Sequence, residues 1–276
     1  MKLLPVLRKA AGRFLLALSF LSRLAPGRVA AESEISASLA WYPLVGLAIG
    51  LVLALPFALL DFFFPFFLAA KAWLSGLAFT ALHVWLTRAL HWDGWADLFD
   101  AMGGGHSPEA FQKILKDSRL GAFGGIALAL GLAGMLLGSA YCLAAGAWPA
   151  LVWAVLLGRC LVAPLVFKAR PMPGSSLGRL MLRADQAEAG ASFYRCSARL
   201  LPLLGPVFAL LAGFACVGAP AALVATAAAL AGVLFLRRLA ARQGGMNGDY
   251  MGAAVIWGEL AGLLTAACWQ SISPLL

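Results

Sequence analysis

Charged side chains are scarce in this chain. They make up 12% of its 276 residues, where a soluble domain carries about 25%. The shortage excludes an ordinary water-soluble globule, because 62% of the residues are hydrophobic and the mean hydropathy is +0.89. No globular core needs that much apolar sequence. Cysteine is also sparse: Cys142, Cys160, Cys196, Cys216 and Cys268 are scattered and form no Cys-x-x-Cys pair. That excludes a thiolate metal site and a disulfide framework, and leaves the thiols as small apolar residues. No internal repeat is convincing. A net charge of +9 would suit nucleic acid, but the basic residues are placed as membrane topology places them, and no nucleic-acid partner is expected.

What is there is a series of apolar runs. Stretches at about 35–60, 66–89, 120–145, 148–168, 200–218, 220–237 and 252–272 each approach the roughly 20 residues that cross a bilayer. Ahead of them, residues 1–34 interleave Lys2, Arg8, Lys9, Arg13, Arg23 and Arg28 with leucine and phenylalanine. Val29-Ala30-Ala31 has the small residues of a signal-peptidase site, but the apolar stretch Phe14–Leu21 is short and cationic on both flanks, which fits a signal peptide poorly. An interfacial basic amphipathic helix is expected instead. The fold class expected is therefore all-α: a polytopic integral membrane protein of about seven transmembrane helices plus that N-terminal helix. It forms a single membrane domain over 1–276, with 1–34 interfacial and 35–276 the bundle.

With seven spans, the N-terminal segment and the connections 90–119, 169–199 and 238–251 share one side. Of the 21 Lys and Arg, only Lys71 lies toward the other side and only Arg159 deep within a span. The positive-inside rule makes the basic side cytoplasmic. Every acidic residue except Asp61 and Glu259 lies on that side too, so a site for charged, cytoplasmic substrates is expected there.

Three polar segments carry the chemistry. The first is His91-Trp92-Asp93-Gly94-Trp95-Ala96-Asp97-Leu98-Phe99-Asp100. Asp93, Asp97 and Asp100 are spaced i, i+4, i+7, one face of a helix. Crowded carboxylates repel unless a cation or proton neutralises them, and hard oxygen ligands suit Mg²⁺ better than zinc. The incidental alternative is a solvated juxtamembrane loop. His91 is placed to act as a base or to orient one. The second segment, Lys116-Asp117-Ser118-Arg119-Leu120-Gly121, has groups that engage phosphate oxygens; a snorkelling basic flank is its plainer reading. The third, Gln243-Gly244-Gly245-Met246-Asn247-Gly248-Asp249, is a glycine-rich turn entering a span and suits an anion. Asp249 is either a fourth metal carboxylate or the cap of that helix. Inside the spans, Arg159 and Glu259 are ionisable and therefore functional suspects: Arg159 binds phosphate, or the two pair structurally.

Taken together, these motifs resemble the cobalamin synthase (adenosylcobinamide-GDP ribazoletransferase) family, nearly end to end. The resemblance is carried by Ser19-Phe20-Leu21-Ser22-Arg23-Leu24, Tyr42-Pro43-Leu44-Val45-Gly46, the HxDGxADxxD element at 91–100, Lys-Asp-Ser-Arg-Leu-Gly at 116–121, and Asn247-Gly248-Asp249 through Gly258-Glu259-Leu260. It implies joining of adenosylcobinamide-GDP to α-ribazole or its 5′-phosphate with release of GMP, an integral location in the cytoplasmic (inner) membrane, and dependence on Mg²⁺. For that reaction the residues themselves suggest Asp93, Asp97 and Asp100 as metal ligands, Asp249 as a fourth ligand if it is not the helix cap, and His91 or a carboxylate as base. Lys116, Asp117, Ser118, Arg119, Arg159, Asn247 and Asp249 would bind substrate, and the Trp92–Trp95 boundary would meet the corrin. Three positions depart from the family pattern. Arg88-Ala89 stands for a usual Gly-Gly, Lys113 for a frequent Glu, and Met246-Asn247 for a usual Gln-Thr. Two alternatives are a CDP-alcohol phosphotransferase, whose Asp-Gly-x-x-Ala-Arg and later Gly-x3-Asp-x3-Asp are not matched, and a transporter or cation channel. Transport sites lie near the bilayer midplane, not where these acids crowd.

Overall fold

The computed structural model describes residues 3–64, 66–175 and 192–273. Among the described residues it is all-helical, with one isolated β-bridge between Pro171 and Met246. In chain order the helices are α1 Leu3–Leu21, α2 Glu32–Ser38, a 3₁₀ turn Leu39–Trp41, α3 Tyr42–Phe63, α4 Phe67–Ala70, α5 Ala72–Leu86, α6 Leu90–Gly104 and α7 Pro108–Ile114. Then come α8 Ala122–Ala144, α9 Trp148–Cys160, α10 Val162–Val166, α11 Ser192–Val217, α12 Ala219–Arg242 and α13 Gly248–Ile272.

Among the described residues five helical runs are long and apolar enough to cross a membrane: 32–63, 122–144, 148–166, 219–242 and 248–272. The stretches read as spans at 66–89 and 200–218 contain shorter apolar helices, Ala72–Leu86 and Leu204–Val217. In the first, α4 stops at Ala70 and α5 ends at Leu86, so the apolar run is broken into two pieces. Large apolar side chains such as Leu55, Ile126, Leu130, Val224 and Leu234 point outward. A protein in water rarely exposes so many; the hydrocarbon of a bilayer accepts them. The chain is a polytopic α-helical membrane protein. The part of the 169–199 connection from 176 to 191 lies outside the described residues.

At the centre stands α9, every residue of which is buried from Ala150 to Cys160. A helix apolar on all sides belongs inside a bundle. Lipid offers no hydrophobic drive between helices, so close approach at small residues holds them together. A Cβ on Gly50 would lie 2.8 Å from the Val152 carbonyl oxygen, bringing α3 onto α9. On the other side a Cβ on Gly158 would lie 2.6 Å from the Val255 oxygen, bringing α9 onto α13. In the middle of this packing Arg159 and Glu259 form an ion pair, and His83 Nε2 lies 3.1 Å from Glu259 Oε1. All three are fully buried.

The N-terminal helix is only half as expected. Leu4, Val6 and Leu7 are exposed, but Leu16, Ala17 and Leu21 are buried in the bundle. Arg13 is also buried, its Nε donating to Glu34 Oε2 at 2.8 Å, which fixes α1 to α2.

Candidate active site

The carboxylate helix α6 starts on an unusual turn. The Ala89 N–H donates to the Val84 carbonyl at 2.9 Å and the Arg88 N–H to that of Trp85 at 3.2 Å, the paired bonds of a Schellman ending to α5. The residue that closes such a motif is usually glycine, because it is left-handed. Here Arg88 and Ala89 take φ values of 58° and 54°. This is where the family pattern given above has Gly-Gly, and a left-handed turn favours glycine at both positions. In compensation, the Arg88 guanidinium donates to the carbonyls of Ser19 and Ser22 at the end of α1.

From that turn α6 runs with Asp93 exposed and Asp97 half-buried on one face. Trp92 and Trp95 lie on the other side and are buried. The Trp95 indole donates to the Ala127 carbonyl at 3.0 Å, and Trp92 is seated against Gly131. The two tryptophans are thus core residues against α8, and neither offers a surface to a corrin ring.

Asp249 joins the carboxylates through glycine. A Cβ at Gly94 would lie 2.8 Å from Asp249 Cα and 2.9 Å from its carbonyl oxygen, so α6 and the first turn of α13 touch backbone to backbone. One turn later Gly252 does the same against His91. The N-cap of α13 is Asn247, and no side chain caps it. Asp249 is therefore not a cap. Its carboxylate accepts the Asn247 amide N–H at 2.5 Å and lies within electrostatic reach of Asp93.

Burial, then the charges of Asp93, Asp249 and Asp100, push the Asp97 carboxyl up to about 7. Ion pairs among the described residues involve Glu34, Asp117 and Glu259, and none supplies a basic partner to Asp93, Asp97 or Asp249. Carboxylates crowded in this way are neutralised by a cation or by a proton. Among the described residues no group of three or more His, Cys, Asp or Glu side chains is arranged to hold a metal ion by itself. An open set of carboxylates is what Mg²⁺ uses, since it keeps waters and takes one or two carboxylates together with substrate phosphates.

Asp100 has a different task. Its carboxylate accepts the backbone N–H of Gly121 at 2.8 Å and of Gly124 at 2.7 Å. It satisfies orphan donors at the start of α8 and meets the positive end of that helix. His91 also turns away from the open face. It is buried, and desolvation, then Arg159 and His83, keep its pKa well below the usual histidine value. The ring is neutral and two residues out of phase with Asp93. Arg159, expected as a candidate phosphate ligand, is fully buried and paired with Glu259.

Three connections gather at this end of the bundle. Gln112 Nε2 on α7 donates to the Gln243 carbonyl at 2.9 Å, and the Met172 N–H donates to the Met246 carbonyl at 2.8 Å. Lys116 Nζ lies 3.8 Å from the Cβ position of Gly174. Lys116, Ser118 and Arg119 are exposed. The Arg119 guanidinium grips Asp117, with Nη2 2.6 Å from Oδ2, and this bond holds the Asp117 carboxyl down at about 2. Sequence reasoning marked Arg88-Ala89 as a departure from the family's Gly-Gly but missed the left-handed turn there, for which those glycines were the available signal.

The chain is similar to known proteins of one family. A family model described as cobalamin-5-phosphate synthase matches residues 13–267. A relative named adenosylcobinamide-GDP ribazoletransferase, from Nitratidesulfovibrio vulgaris (strain DSM 19637 / Miyazaki F), is 42% identical over 96% of this chain and 98% of its own. Relatives of the same name from Thiobacillus denitrificans and Brevibacillus brevis are 32% and 31% identical, each over 91% of this chain and over 93% and 96% of their own. No solved structure matches. A match that takes in the carboxylate helix, the 116–121 segment and the first turn of α13 together makes this chain a member of the cobalamin-5-phosphate synthase family.

Proposed function

We propose that the chain is an adenosylcobinamide-GDP ribazoletransferase of the inner membrane, with its carboxylate face toward the cytoplasm. A ribose hydroxyl of α-ribazole, or of its 5′-phosphate, attacks the phosphorus nearest the cobinamide. The phosphoanhydride bond to GMP breaks, and the product is adenosylcobalamin or its phosphate. The observation that carries the reading is the meeting of Asp93, Asp97 and Asp249 across the Gly94 contact, in a chain similar to enzymes of that name over almost its whole length.

Such a transfer needs its charge neutralised and its nucleophile aligned. Asp93, Asp97 and Asp249 are the residues that would hold Mg²⁺, which when bound supplies positive charge at the pyrophosphate oxygens. Lys116 and Arg119, exposed on the segment whose Gly121 is held by Asp100 of α6, bind those oxygens directly, Arg119 by exchanging Asp117 for phosphate. A carboxylate oxygen of Asp97 or Asp249 takes the hydroxyl proton; the buried His91 ring holds the interior side of α6. Asp100 keeps the 116–121 segment against the carboxylate helix. The basic connections at this end support a cytoplasmic face for the site, by the positive-inside rule.

The test is GMP release. Membranes holding the protein, given adenosylcobinamide-GDP, α-ribazole and Mg²⁺, release GMP; folded protein that releases none above background overturns the reading.

A further inference from the structure

A cavity of about 380 Å³ lies between α1, α2 and the left-handed turn that opens α6. Its volume falls near the lower end of the roughly 300–1,000 Å³ found for small-molecule sites. Leu16, Phe20, Ile35 and Leu90 give it an apolar wall, and Arg28 and Arg88 add positive charge. Buried hydroxyls of Ser19 and Ser38 complete the lining.

Its position follows from helix geometry. Leu90, Asp93 and Asp97 stand at i, i+3 and i+7, so the cavity wall and two of the carboxylates share one face of α6. Leu90 precedes Asp93 by about 4.5 Å of helix rise. A ligand seated beside Leu90 therefore extends its next group onto the carboxylates. One Arg88 nitrogen is committed to the carbonyls of Ser19 and Ser22, while Arg28 is exposed and has no partner among the described residues.

From this we propose that the cavity is the subsite for the nucleophilic substrate, an aromatic base on a ribose with or without a 5′-phosphate. The inference rests on the transferase reading above. The flat apolar base lies among Leu16, Phe20, Ile35 and Leu90, and the ribose reaches along α6 toward Asp93. Arg28 takes the 5′-phosphate when one is present. A corrin with its amide side chains does not fit this volume, so the corrinoid approaches the carboxylates from elsewhere.

The experiment measures KM for each substrate separately on the full-length protein in detergent. Ile35→Trp fills the cavity and Phe20→Ala removes its aromatic wall. Each raises KM for α-ribazole about tenfold or more, the worth of one well-filled contact, and leaves KM for adenosylcobinamide-GDP near wild type. Arg28→Ala raises KM for α-ribazole 5′-phosphate about tenfold, as loss of a charge-assisted bond does, and leaves that for unphosphorylated α-ribazole unchanged. If Ile35→Trp does not fold, the exposed positions Phe20 and Arg28 decide. Unchanged nucleoside KM values overturn the proposal. So does a shift confined to the corrinoid, or one that only alters the response to added anionic phospholipid vesicles. Should the wild type release no GMP, equilibrium binding of α-ribazole 5′-phosphate, followed by its own fluorescence, still separates the cavity from the reaction: binding weakened by Arg28→Ala supports the subsite, and no such weakening overturns it.

Discussion

The carboxylate of Asp100 holds the backbone N–H of Gly121 at 2.8 Å, and with the bond to Gly124 it makes a cap for α8 that comes from another helix. Both glycines are required, because a Cβ at either would strike the Asp100 carboxylate. The acid that looks like a third metal ligand by spacing is thus the tie between the carboxylate helix and the Lys116–Arg119 segment. Asp100→Ala is expected to lower stability by about 1–2 kcal/mol, as loss of a helix cap does, and to reduce GMP release further than the melting temperature explains. The Mg²⁺ concentration for half-maximal activity should stay within about threefold of wild type. A large rise in that concentration would return Asp100 to the metal set.

Asp93→Asn, Asp97→Asn and Asp249→Asn are each expected to remove turnover by about a thousandfold or more, on the scale of losing one preorganised electrostatic group, with membrane insertion intact. Gly94→Ala leaves every carboxylate in place but pushes α6 off α13 at Asp249. It should reproduce much of the Asp249→Asn loss. A fully active Gly94→Ala enzyme would show that the contact does not matter.

The pH dependence of stability follows from Asp97. Its carboxyl in the folded chain titrates at about 7, above the roughly 3.9 of a free aspartate. The folded state binds the proton more tightly than the unfolded state. The resulting stability is fully present below the unfolded value and is lost as pH rises through the folded one. Protein treated with EDTA should therefore melt at a higher temperature at pH 5.5 than at pH 8. Mg²⁺ should raise the melting temperature more at pH 8, and Asp97→Asn should flatten the profile. A metal-free melting temperature that climbs with pH contradicts this assignment.

Ala89→Gly is expected to stabilise the chain by about 1 kcal/mol, since a left-handed residue with a Cβ costs roughly 1–2 kcal/mol and part of the gain is lost to the freer unfolded glycine. Thermal unfolding in detergent measures it. Arg88→Gly should gain less, because it forfeits the guanidinium bonds to Ser19 and Ser22. Equal gains at both positions would show those bonds to be inconsequential.

Glu259→Ala strands Arg159 as an uncompensated buried charge, a loss of about 3–5 kcal/mol. The double change Arg159→Met with Glu259→Leu should recover most of the stability, and activity per folded molecule should recover with it. If stability returns and GMP release does not, the buried pair takes part in the reaction.

Much of this protein was legible in its residues alone. Hydropathy marked the apolar runs, five of which are, among the described residues, helices long enough to cross a bilayer, where a backbone must satisfy its polar groups internally. The spacing of Asp93 and Asp97 put them on one face, because helix periodicity is local. The glycines at 121 and 124 signalled a close approach. Only the tertiary structure decided what approaches what. Asp100 lies on the same helical face as Asp93 by spacing, but the start of α8 comes to rest on it. Asp249 has the composition of a cap, and the backbone contact at Gly94 makes it the neighbour of the carboxylates instead. His91 and Asp93 are two residues apart, and packing against α13 sends one inward while the other stays open. Ligand sets and cavities arise between elements distant in sequence. Local periodicity determines which face a residue occupies, and the packing of helices determines what that face meets.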